Sequence, residues 1–137
     1  MILPDRDIRG LLKDVIAGGD PDLINPNGIE LRLGKNVRFL STGEELHLEP
    51  EQFLKVCPGE TVLISSLEKI DFTRETVQKH FPKCMLMAFI TPTTTMMREG
   101  ILEASTKVDA GFGGILNWGL RNGSAKDPHP PVWRTDF

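Results

Sequence analysis

Between residues 29 and 68 apolar side chains return at every second position, in pieces too short to be helices. Ile29, Leu31 and Leu33 alternate with Glu30 and Arg32. Val37, Phe39, Leu46, Leu48, Phe53 and Val56 continue in short runs cut by Gly34, Ser41-Thr42-Gly43 and Pro50. A period of two sends successive side chains to opposite faces of a strand, so each run offers one face to a core and one to water. Pro58-Gly59-Glu60 reads as a turn into a longer strand, Thr61 to Glu68. Short strands at this spacing predict a mostly-β fold, an antiparallel sandwich or jelly roll. Residues 84 to 90 form a nearly continuous apolar run, which predicts a strand buried on both faces. A last strand is predicted from about Gly114 to Leu120, and its interior Gly119 marks a close approach by backbone or ligand.

Two stretches break the pattern. Ile8, Leu11, Leu12 and Val15 stand three and four apart, predicting an amphipathic helix over 5–16 that ends at Gly18-Gly19-Asp20-Pro21 and packs as a lid on the sheet. Thr73 to Lys79 is read as a short second helix. Thr91 to Thr95 is either an edge strand or loop, or part of a ligand site.

With 137 residues, 39% apolar and 26% charged, the chain has enough material for one domain with its own core. That domain is expected over 1–126, followed by a proline-rich tail, 127–137, in which Trp133 and Phe137 are candidate anchors. The charge balance, 16 basic against 19 acidic residues, is −3, which argues against nucleic acid or an anionic membrane as partner. Cys57 and Cys84 stand alone, without a CxxC pair or a histidine at ligand spacing, so no metal site is expected and both are read as reduced, buried thiols. Asp5, Arg6 and Asp7 precede any apolar run, and no stretch approaches the ~18 apolar residues of a membrane span. A cytoplasmic location is expected.

The stretch Val108-Asp109-Ala110-Gly111-Phe112-Gly113-Gly114 brings a carboxylate, an aromatic ring and free backbone amides into a few residues, ahead of an apolar strand that ends at Asn122. It resembles the central signature of the dUTPase and dCTP deaminase superfamily. Pro26 to Gly34, carrying Ile29-Glu30-Leu31-Arg32-Leu33, is similar to that family's early strand motif, and Thr93-Thr94-Thr95 with Arg98 and Gly100 falls where the family has Gly-Arg-Ser-Ser followed by Arg and Gly. The opening, Met1 to Ile8, is similar to the deaminase branch. The resemblance spans about residues 1–122 and implies a distorted jelly roll, or β-clip, with an N-terminal helix, assembled as a homotrimer with sites at subunit boundaries.

The same resemblance implies roles. Asp109 would position and activate the water that attacks the α-phosphorus of a deoxynucleoside triphosphate; its other reading is a turn aspartate capping backbone amides. Phe112 would stack under the deoxyribose, or simply be a core ring. Gly111 and Gly114 would permit positive φ and close approach to the base. Thr94, Thr95 and Arg98 would hold phosphate oxygens, with Mg²⁺ carried by the triphosphate and no protein ligands to it. Glu30 would be structural, pairing with Arg32 or a neighbouring chain, or a solvated strand charge. The chain departs from the pattern three times: Thr93 replaces the leading Arg, Gly119 occupies the position of the deaminase Glu, and the residues after 126 lack the closing arm of dUTPases. The expectation is dUTP hydrolysis to dUMP and pyrophosphate. The alternatives are a catalytically degenerate nucleotide-binding or assembly module and, less favoured, dCTP deamination.

Overall fold

The computed structural model describes residues 1–103 and 106–125 together with the backbone of 132–134. These fall into two compact units: residues 1–32, 66–88 and 108–116, and residues 33–65, 89–107 and 117–137.

The first unit opens with helix α1 (Asp5–Gly10). Asp5 and Asp7 sit in its first turn and Arg9 in its last, each complementing the helix dipole. The helix is shorter than the apolar spacing predicts. The amides of Val15 and Ile16 both donate to the Leu11 carbonyl, at 3.0 and 2.9 Å, and the turned chain delivers Ile16 into strand β1 (Ile16–Ala17). Ile8, Leu11 and Val15 are nevertheless buried, so the apolar spacing located the core contacts although not the backbone conformation. After Asp20, whose carboxylate caps a single 3₁₀ turn at Pro21–Leu23, strands β2 (Ile24–Asn25) and β3 (Gly28–Ile29) form a small hairpin against α1.

Arg32 then fixes the chain. It donates from its backbone N and from Nε to the carboxylate of Glu68, at 3.0 and 2.8 Å, while Nη2 reaches the Gly18 carbonyl at 2.5 Å. Of the readings of Glu30, pairing with Arg32 gives way to this long-range contact, and Glu30 itself is exposed. Glu68 is wholly buried and lies on the long strand β7, described below, whose later residues Lys69 and Ile70 pair with Ala17 and Ile16.

The second unit carries strands β4 (Leu33–Phe39), β5 (Glu45–His47), β6 (Phe53–Lys55), β9 (Ile101–Glu103) and β12 (Val132–Arg134) and parts of four others: β7 (Thr61–Asp71, of which 61–65 belong here), β8 (Ala88–Ile90, of which 89–90), β10 (Thr106–Val108, of which 106–107) and β11 (Gly113–Asn122, of which 117–122). Its main sheet runs β5-β4-β7-β11-β9. Most of the alternation read from the sequence reaches the core: Val37, Leu48, Val56, Val62, Ile64 and Leu120 cluster with Leu54 and Ile101, and Phe39, Leu46, Trp118 and Met96 pack against them, whereas Phe53 is exposed and its neighbour Leu54 takes the interior place. Burying side chains of this size stabilises by about 1.5–3 kcal/mol each. Asn122 closes β11. Its amide donates to the Val56 carbonyl at 2.8 Å, and its Oδ1 accepts from Ser124 N and Oγ.

Several expectations are overturned. The run over 84–90 becomes a strand only at Ala88–Ile90, paired with β10, and it is not buried on both faces: Met85 and Met87 are exposed and Phe89 is 73% exposed. Cys57 and Cys84 are likewise exposed rather than buried. Apolar composition indicates what benefits from a partner, and within the chain itself these residues have little. The tail is not among these corrections: Val132–Arg134, directly after the last proline, is extended and pairs antiparallel with β6, and the Trp133 side chain lies outside what is described. Phe137 lies outside the described residues. No helix among the described residues is long and apolar enough to cross a membrane.

Candidate functional site

The glycine turn lies in the first unit. Asp109 is exposed, and its carbonyl accepts from Phe112 N at 3.1 Å, closing the turn. Gly111 adopts φ 93° and Gly114 φ 148°, both in the region that penalises a Cβ. A Cβ on Gly114 would stand 3.6 Å from Phe112 Cζ, so the half-buried ring leans back over Gly114. The glycines therefore shape this turn and give the ring its seat.

What grips the turn is a segment that sequence reasoning did not single out. Phe72, just beyond β7, donates from its N to the Phe112 carbonyl at 2.7 Å and accepts at its own carbonyl from Gly111 N at 3.0 Å. Its neighbours are locked in turn by the Asp71 carboxylate. Oδ1 accepts from Thr73 N at 3.0 Å and Thr73 Oγ1 at 2.5 Å, and Oδ2 accepts from Thr76 Oγ1 at 2.8 Å. These bonds, Thr73's hydroxyl first and then Thr76's, hold the Asp71 carboxyl below its usual range despite the opposing effect of burial, with Lys69 helping. Thr73 precedes helix α2 (Arg74–His80). Asp-x-Thr-x-x-Thr is the available sequence signal, a local pattern of side chains bonding nearby backbone and one another.

Thr94, Thr95 and Arg98 lie in the second unit, on a helix rather than on a strand or loop. Thr93 caps α3 (Thr94–Arg98), its Oγ1 accepting from Met96 N at 3.3 Å. Thr94, Thr95 and Arg98 are exposed, and Thr94 and Arg98, four apart, share a helix face. Thr93, standing where the resemblance has Arg, is thus committed to the cap. The structure brings together Asp109, Gly111, Phe112 and Gly114 in one turn, and Thr94, Thr95 and Arg98 in one helix.

Gly119 lies on β11, beside a shallow concavity of about 420 Å³ lined by Thr61, Leu102, Glu103, Gly119, Leu120 and Arg121. Among the described residues a Cβ there would meet only Leu63 Cδ2, at 3.9 Å, an ordinary contact, so no close approach among them demands glycine. Glu103 also borders this concavity, but β9 and β11 pair Leu120 with Glu103 and Arg121 with Leu102, which puts Glu103 on the face of buried Leu120 and leaves Gly119 on the other. Glu103 Oε1 and Trp118 Nε1 are buried without a well-formed hydrogen bond. Burial pushes the Glu103 carboxyl up, and the nearby Trp118 indole only partly offsets it. Among the described residues no group of three or more His, Cys, Asp or Glu side chains is placed to hold a metal ion.

This strand order, with an Asp-Ala-Gly-Phe turn leading into a long strand that ends in a buried Asn, is that of a mostly-β protein of the β-clip kind. Its backbone matches the crystal structure of 2'-deoxycytidine 5'-triphosphate deaminase from Agrobacterium tumefaciens with a TM-score of 0.72 over 98% of this chain and 44% of that one, at 20% identity, a likeness of fold. The chain is 33% identical over 119 residues to a probable deoxyuridine 5'-triphosphate nucleotidohydrolase of Sulfolobus islandicus rod-shaped virus 1, covering 85% of this chain and 68% of the relative. It is 34% identical over 122 residues to a dCTP deaminase of Acidianus ambivalens, covering 85% and 69%. A dUMP-forming dCTP deaminase of Corynebacterium kroppenstedtii shares 28% over 144 residues, 90% of this chain and 72% of the relative. No family model matches. The chain belongs to the dUTPase and dCTP deaminase superfamily.

Proposed function

We propose that the protein hydrolyses dUTP, presented with its Mg²⁺, to dUMP and pyrophosphate. Asp109 orients a water and draws off its proton as the oxygen bonds the α-phosphorus and the α–β bridging P–O bond breaks, releasing pyrophosphate with the metal. Phe112 supports the deoxyribose, Gly111 and Gly114 let the backbone approach the base, and Thr94, Thr95 and Arg98 hold phosphate oxygens. The carrying observation is that the Asp109 turn is built and clamped while β11 presents glycine at 119, where the resemblance has the deaminase carboxylate. Deamination needs a group to move protons at the pyrimidine C4, and Glu103 is on the wrong face to supply it. A cytoplasmic homotrimer with sites at its subunit boundaries is part of the same reading, supported by the exposed Met85, Met87 and Phe89.

The test is pyrophosphate release from a panel of deoxynucleoside triphosphates by wild type and Asp109→Asn. Turnover of dUTP that falls at least ~100-fold in the variant is expected; equal rates would remove Asp109 from the chemistry. A second reading is favoured by Thr93, which stands where the resemblance has Arg and so leaves the phosphate cradle one cation short while its hydroxyl caps α3: a catalytically degenerate member that binds nucleotide or serves as an assembly module. Calorimetric titration with a non-hydrolysable dUTP analogue, showing binding without turnover, would favour it.

A further inference from the structure

Among the groups outside the reacting set, the Asp71 carboxylate has the most direct line to it. We infer that Asp71 is a positioning residue for the Asp109–Gly114 turn, acting through Phe72, and this inference rests on the proposal that the turn binds a deoxynucleotide. Phe72 is the clamp: its N holds the Phe112 carbonyl at 2.7 Å and its carbonyl holds Gly111 N at 3.0 Å, so one peptide segment grips both sides of the ring-bearing loop. A clamp is only as fixed as its own φ and ψ. On one side of Phe72 the Asp71 amide is held by the Val15 carbonyl at 2.8 Å; on the other, Thr73 is tied to Asp71 through both its N and its hydroxyl. Thr76 closes the bracket from the first turn of α2.

The bracket also touches the turn. A Cβ on Gly113 would lie 3.5 Å from Thr73 Cγ2 and 4.0 Å from Asp71 Oδ1, so the threonine methyl and the carboxylate back the loop beside Phe112. Removing the carboxylate frees Thr73, lets the Phe72 peptide rock, and passes the movement to the ring and to Asp109. Reacting groups misplaced by about 1 Å lose on the order of 100-fold in rate, so partial loosening is expected to cost about tenfold. The clamp is made by backbone atoms, and nothing in the composition of Phe72 announces it.

The experiment uses the full chain as wild type, Asp71→Ala and Asp71→Asn, the last keeping an oxygen that accepts from Thr73. Amide hydrogen exchange is measured at Phe72 and Gly111, with Asn122, which donates to the Glu60 carbonyl, as internal control; kcat and KM for dUTP are measured alongside. Expected in Asp71→Ala are roughly tenfold faster exchange at Phe72 and Gly111 with Asn122 unmoved, and about a tenfold fall in kcat with a smaller change in KM. Asp71→Asn should recover most of both. Unchanged exchange at Phe72 and Gly111 overturns the inference whatever the protein acts on. So does a kcat loss that the Asn variant fails to rescue and that follows the folded fraction. Faster exchange in a protein whose wild type neither binds nor turns over deoxynucleotide would instead sink the functional reading, and the positioning role with it.

Discussion

The pair formed by Arg32 and Glu68 allows the sharpest test of what holds the first unit together. Glu68 has no exposed side-chain surface and accepts from Arg32 Nε at 2.8 Å and from Arg32 N at 3.0 Å; the Arg32 side chain is 19% exposed. Glu68→Ala would leave one charged donor and one backbone N–H without an acceptor. Each orphaned donor costs about 1–3 kcal/mol, and breaking a buried ion pair from one side costs about 3–5 kcal/mol in all. Glu68→Gln keeps one oxygen for the backbone N–H and should cost less, about 1–2 kcal/mol. For a chain of this length 3–5 kcal/mol corresponds to a melting temperature lower by roughly 10–20 °C. The assay is urea unfolding with a common m value, extended to Arg32→Met and to Arg32→Met with Glu68→Leu. Because the desolvation penalty of both charges disappears together, the double variant should be more stable than either charge-breaking single. A Glu68→Ala cost under about 1 kcal/mol, or strict additivity in the double variant, would refute the claim that this carboxylate and this guanidinium depend on each other.

Two other expectations test the second unit. Gly119→Glu should fold with stability within about 1 kcal/mol of wild type, since among the described residues a Cβ there meets only Leu63 Cδ2 at 3.9 Å; thermal melting showing a loss beyond about 3 kcal/mol would mean that packing does require glycine. Glu103 has its carboxyl pKa raised by burial, so the folded state holds the proton more tightly than the unfolded chain, and stability falls as pH rises from the unfolded value, about 4.3, through the raised folded one. Glu103→Gln removes that slope. Its melting temperature relative to wild type should therefore be higher at pH 7.5 than at pH 4, and an equal difference at both pH values would contradict the assignment.

The sequence announced the sheet because alternation is a local signal that burial enforces residue by residue: Val37, Leu48, Val56 and Val62 are in the core, although at Phe53-Leu54 it is Leu54 that is buried and Phe53 that is exposed. It failed where tertiary pairing competes with local preference. The apolar stripe over residues 5–16 fits a helix, but pairing Ile16 with Ile70 takes the end of that stretch for a strand. The local pattern offers Glu30, two positions away, as one partner for Arg32, whereas the carboxylate it meets is 36 residues on, a contact that no local pattern encodes. Cys84, Met85, Met87 and Phe89 read as interior from composition alone, and composition does not say whether the partner surface belongs to the same chain.

For the candidate site, the legible part was the set of residue types and the illegible part was their support. Asp109, Gly111, Phe112 and Gly114 lie within six consecutive positions, and the turn that unites them is a short-range feature. The Phe72 clamp is invisible in side-chain identity because it is made by N–H and C=O groups, which every residue but proline carries. The Asp71 bracket leaves a trace, an Asp followed at two and five positions by threonines, yet the same trace marks many helix starts with no site beside them. What separates this one is Gly113, whose missing side chain lets Thr73 and Asp71 stand against the turn. A substitution at Gly113 that intrudes on Thr73 should therefore act on the same exchange-protected amides as Asp71→Ala, Phe72 and Gly111, and two unrelated substitutions converging on one pair of amides would be hard to reconcile with any route that bypasses the clamp.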